Sequence, residues 1–259
     1  MPSKKRTAII LCGGKGTRLG ALGKKIPKSL VKIHNFPILW FIIKILKKNN
    51  FNHFILPVGF KGKKIQDYIN KKKELKKINI EIVNTGENTS IAKRIFLIKD
   101  KISSQNFILV NGDAIFNFNL NKMFKNHLRK KFDMTFIGCE AKLNFGIVGK
   151  FKNKIVSFER DIDFNSVQKM NNNKFIGFVY SGISIMNKKI LKTNFKKFSN
   201  FEKNFYPAII KKYKTNLEQI SGFWSSIDNI KDMDQLNKRN DLKKYNAIKK
   251  IKKELKKVY

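Results

Sequence analysis

Residues Ala8-Ile-Ile-Leu-Cys-Gly-Gly-Lys-Gly-Thr-Arg-Leu-Gly20, with Pro27-Lys28 close behind, decide how the rest of this chain is read. Thr7 to Leu11 is a short apolar run of the kind that makes a buried strand, and it stops at Gly13, Gly14 and Gly16. Glycines after a strand let the backbone bend sharply and present bare N–H groups to an anion. Thr17 and Arg18 add a hydroxyl and a planar cationic fork, a pairing suited to a di- or triphosphate. An ordinary glycine turn accounts for the same residues. Two better-known phosphate loops are absent. Gly23-Lys24 has Arg18 where a P-loop needs its first glycine and Lys25 where it needs a hydroxyl. The dinucleotide fingerprint fits Gly14-Lys15-Gly16 and then meets Leu19 at its third glycine.

Beyond this stretch, strand and helix alternate. Ile38 to Leu46, opening after Pro37, is a helix too apolar for a surface, and His53 to Gly59 is the second strand. Ile65 to Lys73 is a Lys-rich helix, and Ile78 to Val83 alternates apolar and polar as a strand does. Ser90 caps a helix running to about Lys101, and Phe107 to Val110 is the continuous apolar run of a buried parallel strand. This spacing predicts βαβ crossovers, hence an α/β domain with a mainly parallel sheet flanked by helices. Ligands of such sheets bind beyond the carboxyl ends of the strands, where Gly13–Arg18, Thr85–Glu87 and Asn111–Asp113 would converge. From Phe132 the strands shorten: 132–139, 146–151, 154–158 and 178–186, with a loop tip at 171–174. Phe201 to Tyr213 reads as a helix despite Pro207, and Lys214 to Ile220 as a strand. From Ile230 the pattern is helical and ends in a Lys-dense tail. One domain over 1–236 followed by a Lys-rich C-terminal helix over 237–259 is the expected organisation.

The chain carries 56 Lys and Arg against 18 Asp and Glu, a formal charge of +38. Such a balance points to polyanions. Its distribution points elsewhere: Lys is spread through every segment, whereas Arg, the usual reader of base edges, occurs only at positions 6, 18, 94, 129, 160 and 239. The expectation is therefore a solvated Lys surface with no dedicated nucleic-acid site, whose positive field speeds capture of small anions. Two cysteines, Cys12 and Cys139, make neither a disulfide framework nor a zinc site. No segment approaches the roughly 20 apolar residues of a membrane span, and the expected location is the cytoplasm.

Leu11-Cys-Gly-Gly-Lys-Gly-Thr-Arg-Leu19 and Pro27-Lys28-Ser29-Leu30 resemble the signature of the sugar-phosphate nucleotidylyltransferases, Leu-Ala-Gly-Gly-x-Gly-Thr-Arg-Leu followed by Pro-Lys-Pro. Cys12 replaces a small Ala and Ser29 replaces the second Pro. The resemblance implies a Rossmann-like, GT-A-like fold with a small β-rich acceptor half, and an enzyme that joins an NTP to a sugar 1-phosphate and releases pyrophosphate. Leu11, Gly13, Gly14, Gly16, Thr17, Arg18 and Gly112 would wrap the nucleotide, with Glu87 and Arg94 on its base or ribose side. Arg18, Lys28 and Asp113 would carry the chemistry. Asp113 follows the central strand in Val110-Asn-Gly-Asp113, and Asp228 follows Gly222-Phe-Trp-Ser-Ser-Ile. Read alone, the first is an Asp in a turn and the second a helix N-cap. The resemblance pairs them as ligands of Mg²⁺.

Register in the last motif matters. Many relatives place the Asp two residues after the Trp, a position held here by Ser226. Glucose-1-phosphate cytidylyltransferases show Gly-Phe-Trp-x-x-Met-Asp-Thr, which Gly222 to Asn229 resembles. Pro37-Ile-Leu-Trp40, Gly59-Phe-Lys-Gly62 and Asn84-Thr-Gly-Glu-Asn-Thr89 resemble the same subfamily, so CTP is the implied nucleotide. On the acceptor side the implied residues are Glu159, Arg160, Tyr180, Ser181 and Gly182. Arg160 stands where the family has a phosphate-contacting Lys, and Tyr180-Ser-Gly182 where hexose enzymes have Asn-Gly-Gly. Tyr180-Ser-Gly-Ile-Ser184 and Ile227-Asp-Asn-Ile-Lys-Asp232 also resemble choline-phosphate cytidylyltransferases. A hexose 1-phosphate is the favoured acceptor; phosphocholine or a phosphonate, and a degenerate nucleotide- or polyanion-binding protein, are the competing readings. The resemblance also admits a homo-oligomer.

Overall fold

A computed structural model describes residues 5–139, 147–151, 154–159, 167–170, 173–176, 178–194 and 198–238. In chain order the strands are β1 (Thr7–Leu11), β2 (Lys32–Ile33), β3 (Phe36–Pro37), β4 (His53–Val58), β5 (Asn79–Asn84), β6 (Asn106–Asn111), β7 (Ala114–Asn117), β8 (Met134–Cys139), β9 (Ile147–Phe151), β10 (Lys154–Glu159), β11 (Val167–Met170), β12 (Asn173–Ile176), β13 (Val179–Asn187), β14 (Thr215–Gln219) and β15 (Phe223–Ser226). The helices are α1 (Gly20–Lys25), α2 (Ile38–Lys48), α3 (Gly62–Lys71), α4 (Lys73–Lys76), α5 (Ile91–Ile98), α6 (Leu120–Arg129), α7 (Tyr206–Lys212) and α8 (Ile230–Lys238).

Seven strands make one sheet in the order β14-β8-β13-β6-β1-β4-β5. Only β13 runs against the rest. From β1 the chain winds outward through β4 and β5 and then returns to place β6 on the other side of β1. The strand order therefore reverses between β1 and β6, and connections leaving in opposite directions open a crevice at their carboxyl ends. Leu11 and Asn111, the last residues of the two strands, are register partners at that crevice.

Residues of β1 alternate between two cores, as strand periodicity requires. Ala8 and Ile10 join the larger cluster with Phe54 and Ile108, while Ile9 joins Ile55 and Leu109 beneath α5 and α7. Helix α2 buries eight of its side chains, Ile38 to Ile43 together with Ile45 and Leu46, which accounts for its apolar character.

Several expectations need correction. Strands β8, β13 and β14 belong to the main sheet, and the antiparallel pairs β9–β10 and β11–β12 are further small β-structures in that half of the chain. Asn173 and Lys174, expected in a loop tip, open β12; residues 171–172 lie outside the described residues, as do position 146 and residues 239–259. The helix at 201–213 begins as a wide π-turn over Phe201–Phe205 and continues as α7, with Pro207 in its first turn. Helix α6 was not anticipated, although Leu120, Met123, Phe124 and His127 are buried at helical spacing and Asn119 caps it by accepting from the Lys122 N–H.

Candidate active site

Short antiparallel strands build the site. Strand β7 follows Asp113 directly, β15 ends just before Ile227-Asp228, and Ser226 pairs with Ala114. The Ile227 N–H donates to the Asp113 carbonyl at 2.9 Å, which extends the ladder one step and lays the two acids side by side. The indole N–H of Trp224 donates to the Ser181 carbonyl at 2.8 Å, tying β15 to the main sheet. Asp228 is not the cap of α8. That task falls to Asn229, whose Oδ1 accepts from the Asp232 N–H while Asp232 accepts in return from the Asn229 N–H, a reciprocal capping box. The Asp228 carboxylate is thereby left for the crevice.

Lys28 stands between the acids. Its Nζ lies 2.9 Å from Asp113 Oδ2 and 2.9 Å from Asp228 Oδ1. Burial works against the charged ammonium, but the two carboxylates outweigh it and raise its pKa. Burial likewise pushes Asp228 up, and hydrogen bonding to Lys28, with help from Ser226 and Arg18, overcomes this and holds it below its ordinary value. Arg18 reaches Asp228 Oδ1 at 3.3 Å from the crevice mouth, where its side chain is 78% exposed.

Above this pair the glycine loop is held from behind. Gly16 has φ +61°, a left-handed conformation that starts the Thr17–Leu19 turn, and buried Leu19 anchors that turn to the core. Arg94, projecting from α5 and buried, donates Nη2 to the carbonyls of Gly13 at 3.0 Å and Glu87 at 3.2 Å, and Nη1 to that of Val58 at 3.2 Å. It also bonds the Thr85 hydroxyl. A Cβ on Gly13 would lie 2.2 Å from the Arg94 guanidinium carbon, so any larger residue there would have to displace the Arg94 fork. Arg94 is thus neither a surface charge nor a free fork offered to a ligand; it stitches together the loops after β1, β4 and β5.

These loops enclose a cleft of about 260 Å³ lined by Leu11, Gly13, Gly14, Gly16, Lys28, Glu87, Arg94, Gly112 and Asp113. Thr17 and Arg18 sit exposed on the turn that follows Gly16, outside that lining. Asn111, at the end of β6, lines the cleft as its place in the Asn111–Asp113 segment led one to expect. Cys12, Ser29, Thr89 and Ile91 complete the walls and were given no site role from sequence.

The acceptor candidates are placed differently. The Tyr180 hydroxyl meets the Tyr206 hydroxyl at 2.7 Å and donates to Ser184 Oγ at 3.4 Å; burial pushes its pKa up to about 12. The Ser181 hydroxyl donates to the Ile137 carbonyl at 2.7 Å. Both side chains are engaged by these partners and neither lines the cleft; between Tyr180 and Ile183 the β13 register shifts by two residues against β8. Gly182, at that shift, backs onto the Asn111 side chain. Glu159 ends β10, and Arg160 lies outside the described residues.

A glycine-walled crevice at a sheet switch point, with a Lys between two acids at its floor, is the site of a phosphate-handling α/β protein. The chain belongs to the nucleotidyl transferase family, whose pattern it matches over residues 7–240. It is 29% identical over 251 residues to a probable glucose-1-phosphate cytidylyltransferase of Bacillus subtilis, covering 89% of this chain and 94% of that one. It is 28% identical to a D-glycero-alpha-D-manno-heptose 1-phosphate guanylyltransferase of Aneurinibacillus thermoaerophilus, covering 80% and 90%. The fold matches that of HddC from Yersinia pseudotuberculosis complexed with GMP-PN at a TM-score of 0.68 and 22% identity, covering 90% of this chain and 98% of that one. Among the described residues no helix is long and apolar enough to cross a membrane.

Proposed function

We propose that this nucleotidylyltransferase transfers CMP from CTP to a sugar 1-phosphate, with glucose 1-phosphate the first candidate, and works in the cytoplasm where both substrates are held. The observation that carries the proposal is the meeting of Asp113 and Asp228 at one nitrogen, Lys28 Nζ, on the floor of the glycine cleft. The Gly222–Asn229 register and the cytidylyltransferase relative support the base. Glu87 in the cleft wall supports it too, since a carboxylate accepts from an exocyclic amine that cytosine and guanine carry and uracil and thymine lack.

In this reading an acceptor phosphate oxygen forms a bond to the α-phosphorus as the bond from that phosphorus to the bridging oxygen breaks, and pyrophosphate leaves with the electron pair. No protein nucleophile is needed; orientation and charge neutralisation supply the rate. The amides of Gly13, Gly14 and Gly16 receive the nucleotide phosphates. Arg18, at the mouth, draws charge from the leaving pyrophosphate, and Lys28 stabilises the crowded α-phosphate. Arg94 acts as a positioning residue, keeping the Gly13 and Glu87 backbones at the separation a nucleotide needs. The acid pair suits Mg²⁺: two hard carboxylates converge, and among the described residues no cluster of three or more acidic, His or Cys groups forms a self-sufficient cage, so substrate oxygens would complete the shell. Magnesium held by Asp113 and Asp228 would neutralise charge at the reacting phosphates. Glu159 and Arg160 are proposed for the acceptor's hydroxyls and phosphate.

The test is a panel of the four NTPs and dTTP against glucose 1-phosphate, heptose 1-phosphate and phosphocholine, read by pyrophosphate release. CTP with glucose 1-phosphate is expected to be fastest. Preference for GTP moves the base assignment to that of the guanylyltransferase relatives, preference for phosphocholine moves the acceptor, and nucleotide binding with no pyrophosphate from any pair favours the degenerate reading.

A further inference from the structure

The acid pair already has a cation. Lys28 Nζ, on a side chain 17% exposed, touches one oxygen of each carboxylate, and Arg18 touches the same Asp228 oxygen as Lys28 does. Two negative charges are met by two positive ones, both supplied by the glycine-loop segment that receives the nucleotide. A free divalent ion arriving at the acids would enter beside two cations already in place, and their like charge at close range opposes it.

We propose that Lys28 is a built-in gate on the metal site: its ammonium blocks Asp113 and Asp228 to free divalent cations, and only a bound triphosphate, by drawing Lys28 and Arg18 onto its own oxygens, opens them. This rests on the reading of the two acids as the metal pair. It adds an order of events, in which the cation is admitted with the nucleotide and not before it, so that the charged floor is never loaded without substrate. The device needs no moving domain. Swings of two flexible side chains suffice, and the acids stay fixed by the Ile227–Asp113 bond and the Asn229 cap.

The experiment titrates Mn²⁺ alone into the nucleotide-free protein and counts free Mn²⁺ by electron paramagnetic resonance. Lys28→Met is expected to bind Mn²⁺ at least about tenfold more tightly than the wild type, and Asp113→Asn added to Lys28→Met is expected to abolish the gain. Arg18→Ala, at an exposed position that does not threaten folding, is expected to shift affinity in the same direction by less. Equal Mn²⁺ affinity in the wild type, Lys28→Met and Arg18→Ala, with binding that Asp113→Asn abolishes, overturns the gate and leaves the metal pair standing. Binding that Asp113→Asn does not touch, or none in any variant, overturns the metal pair and the gate together.

Discussion

Ile227 donates its backbone N–H to the carbonyl of Asp113 at 2.9 Å, and that one ladder bond places Asp228 beside Asp113. Ile227→Pro removes the donor. Because misplacing a catalytic group by about 1 Å costs on the order of 100-fold, turnover is expected to fall by that much while far-UV circular dichroism keeps the sheet signal. Unchanged turnover would show that the acids do not depend on this register.

Arg94 donates to three carbonyls from three separate loops. Arg94→Met removes that charged donor, although the Thr85 N–H and hydroxyl still reach Val58 and the Phe60 N–H still reaches Gly13. Hydrogen bonds to a charged group are worth about 1.5–3 kcal/mol, so urea melts are expected to show a loss of about that size, with a raised KM for the nucleotide. Arg94→Lys rescues little, since one ammonium cannot reproduce the planar fork. A variant of normal stability with normal KM would contradict the positioning role.

Tyr180 and Ser181 provide a contrasting test. Tyr206→Phe strips the Tyr180 hydroxyl of a partner 2.7 Å away and is expected to cost about 1 kcal/mol. The acceptor KM is expected to stay put. A KM several-fold higher would show that this pair of hydroxyls reaches the acceptor after all.

Residues 7–30 and 106–113 carried most of what the sequence could say, because glycines after apolar runs mark strand ends and strand ends mark the crevice of a parallel sheet. The meeting of Asp113 with Asp228 came only from resemblance: register between β7 and β15 is a long-range fact that neither segment encodes alone. Arg94 read as a base- or ribose-side residue by resemblance, and its bridging role was hidden because burial of its guanidinium depends on three separate loops. Tyr180 and Ser181 take partners within the protein, Tyr206, Ser184 and the Ile137 carbonyl, beside a two-residue register shift in β13 that leaves no mark in the strand pattern. Helix α6 was different: Leu120, Met123, Phe124 and His127 spelled it out.

Buried His127 predicts an acid-side weakness. Its Nε2 donates to Asn106 Oδ1 and its Nδ1 accepts from the Thr135 hydroxyl, a neutral tautomer set by partners on both sides. Burial pushes its pKa down from 6.5 to about 4, with Asp133 opposing. The unfolded chain therefore takes up a proton that the folded chain refuses. Stability from this group is intact above pH 6.5 and is lost as pH falls toward 4, by on the order of 3 kcal/mol in all. Urea melts between pH 6.5 and 5 are expected to show stability falling with pH in the wild type and a flatter slope in His127→Gln. Equal slopes would mean that His127 titrates alike in both states.

The central claim is that Asp113 and Asp228 act as one unit beside the α-phosphate. Pyrophosphate release with CTP, glucose 1-phosphate and Mg²⁺, measured for Asp113→Asn, Asp228→Asn and the double variant, tests it most directly. Each single change is expected to lower turnover by about 100-fold or more with the thermal melt preserved, and the double change to cost little beyond either one, as for residues that work together. Full turnover in either single variant, or losses that simply multiply in the double, would contradict it.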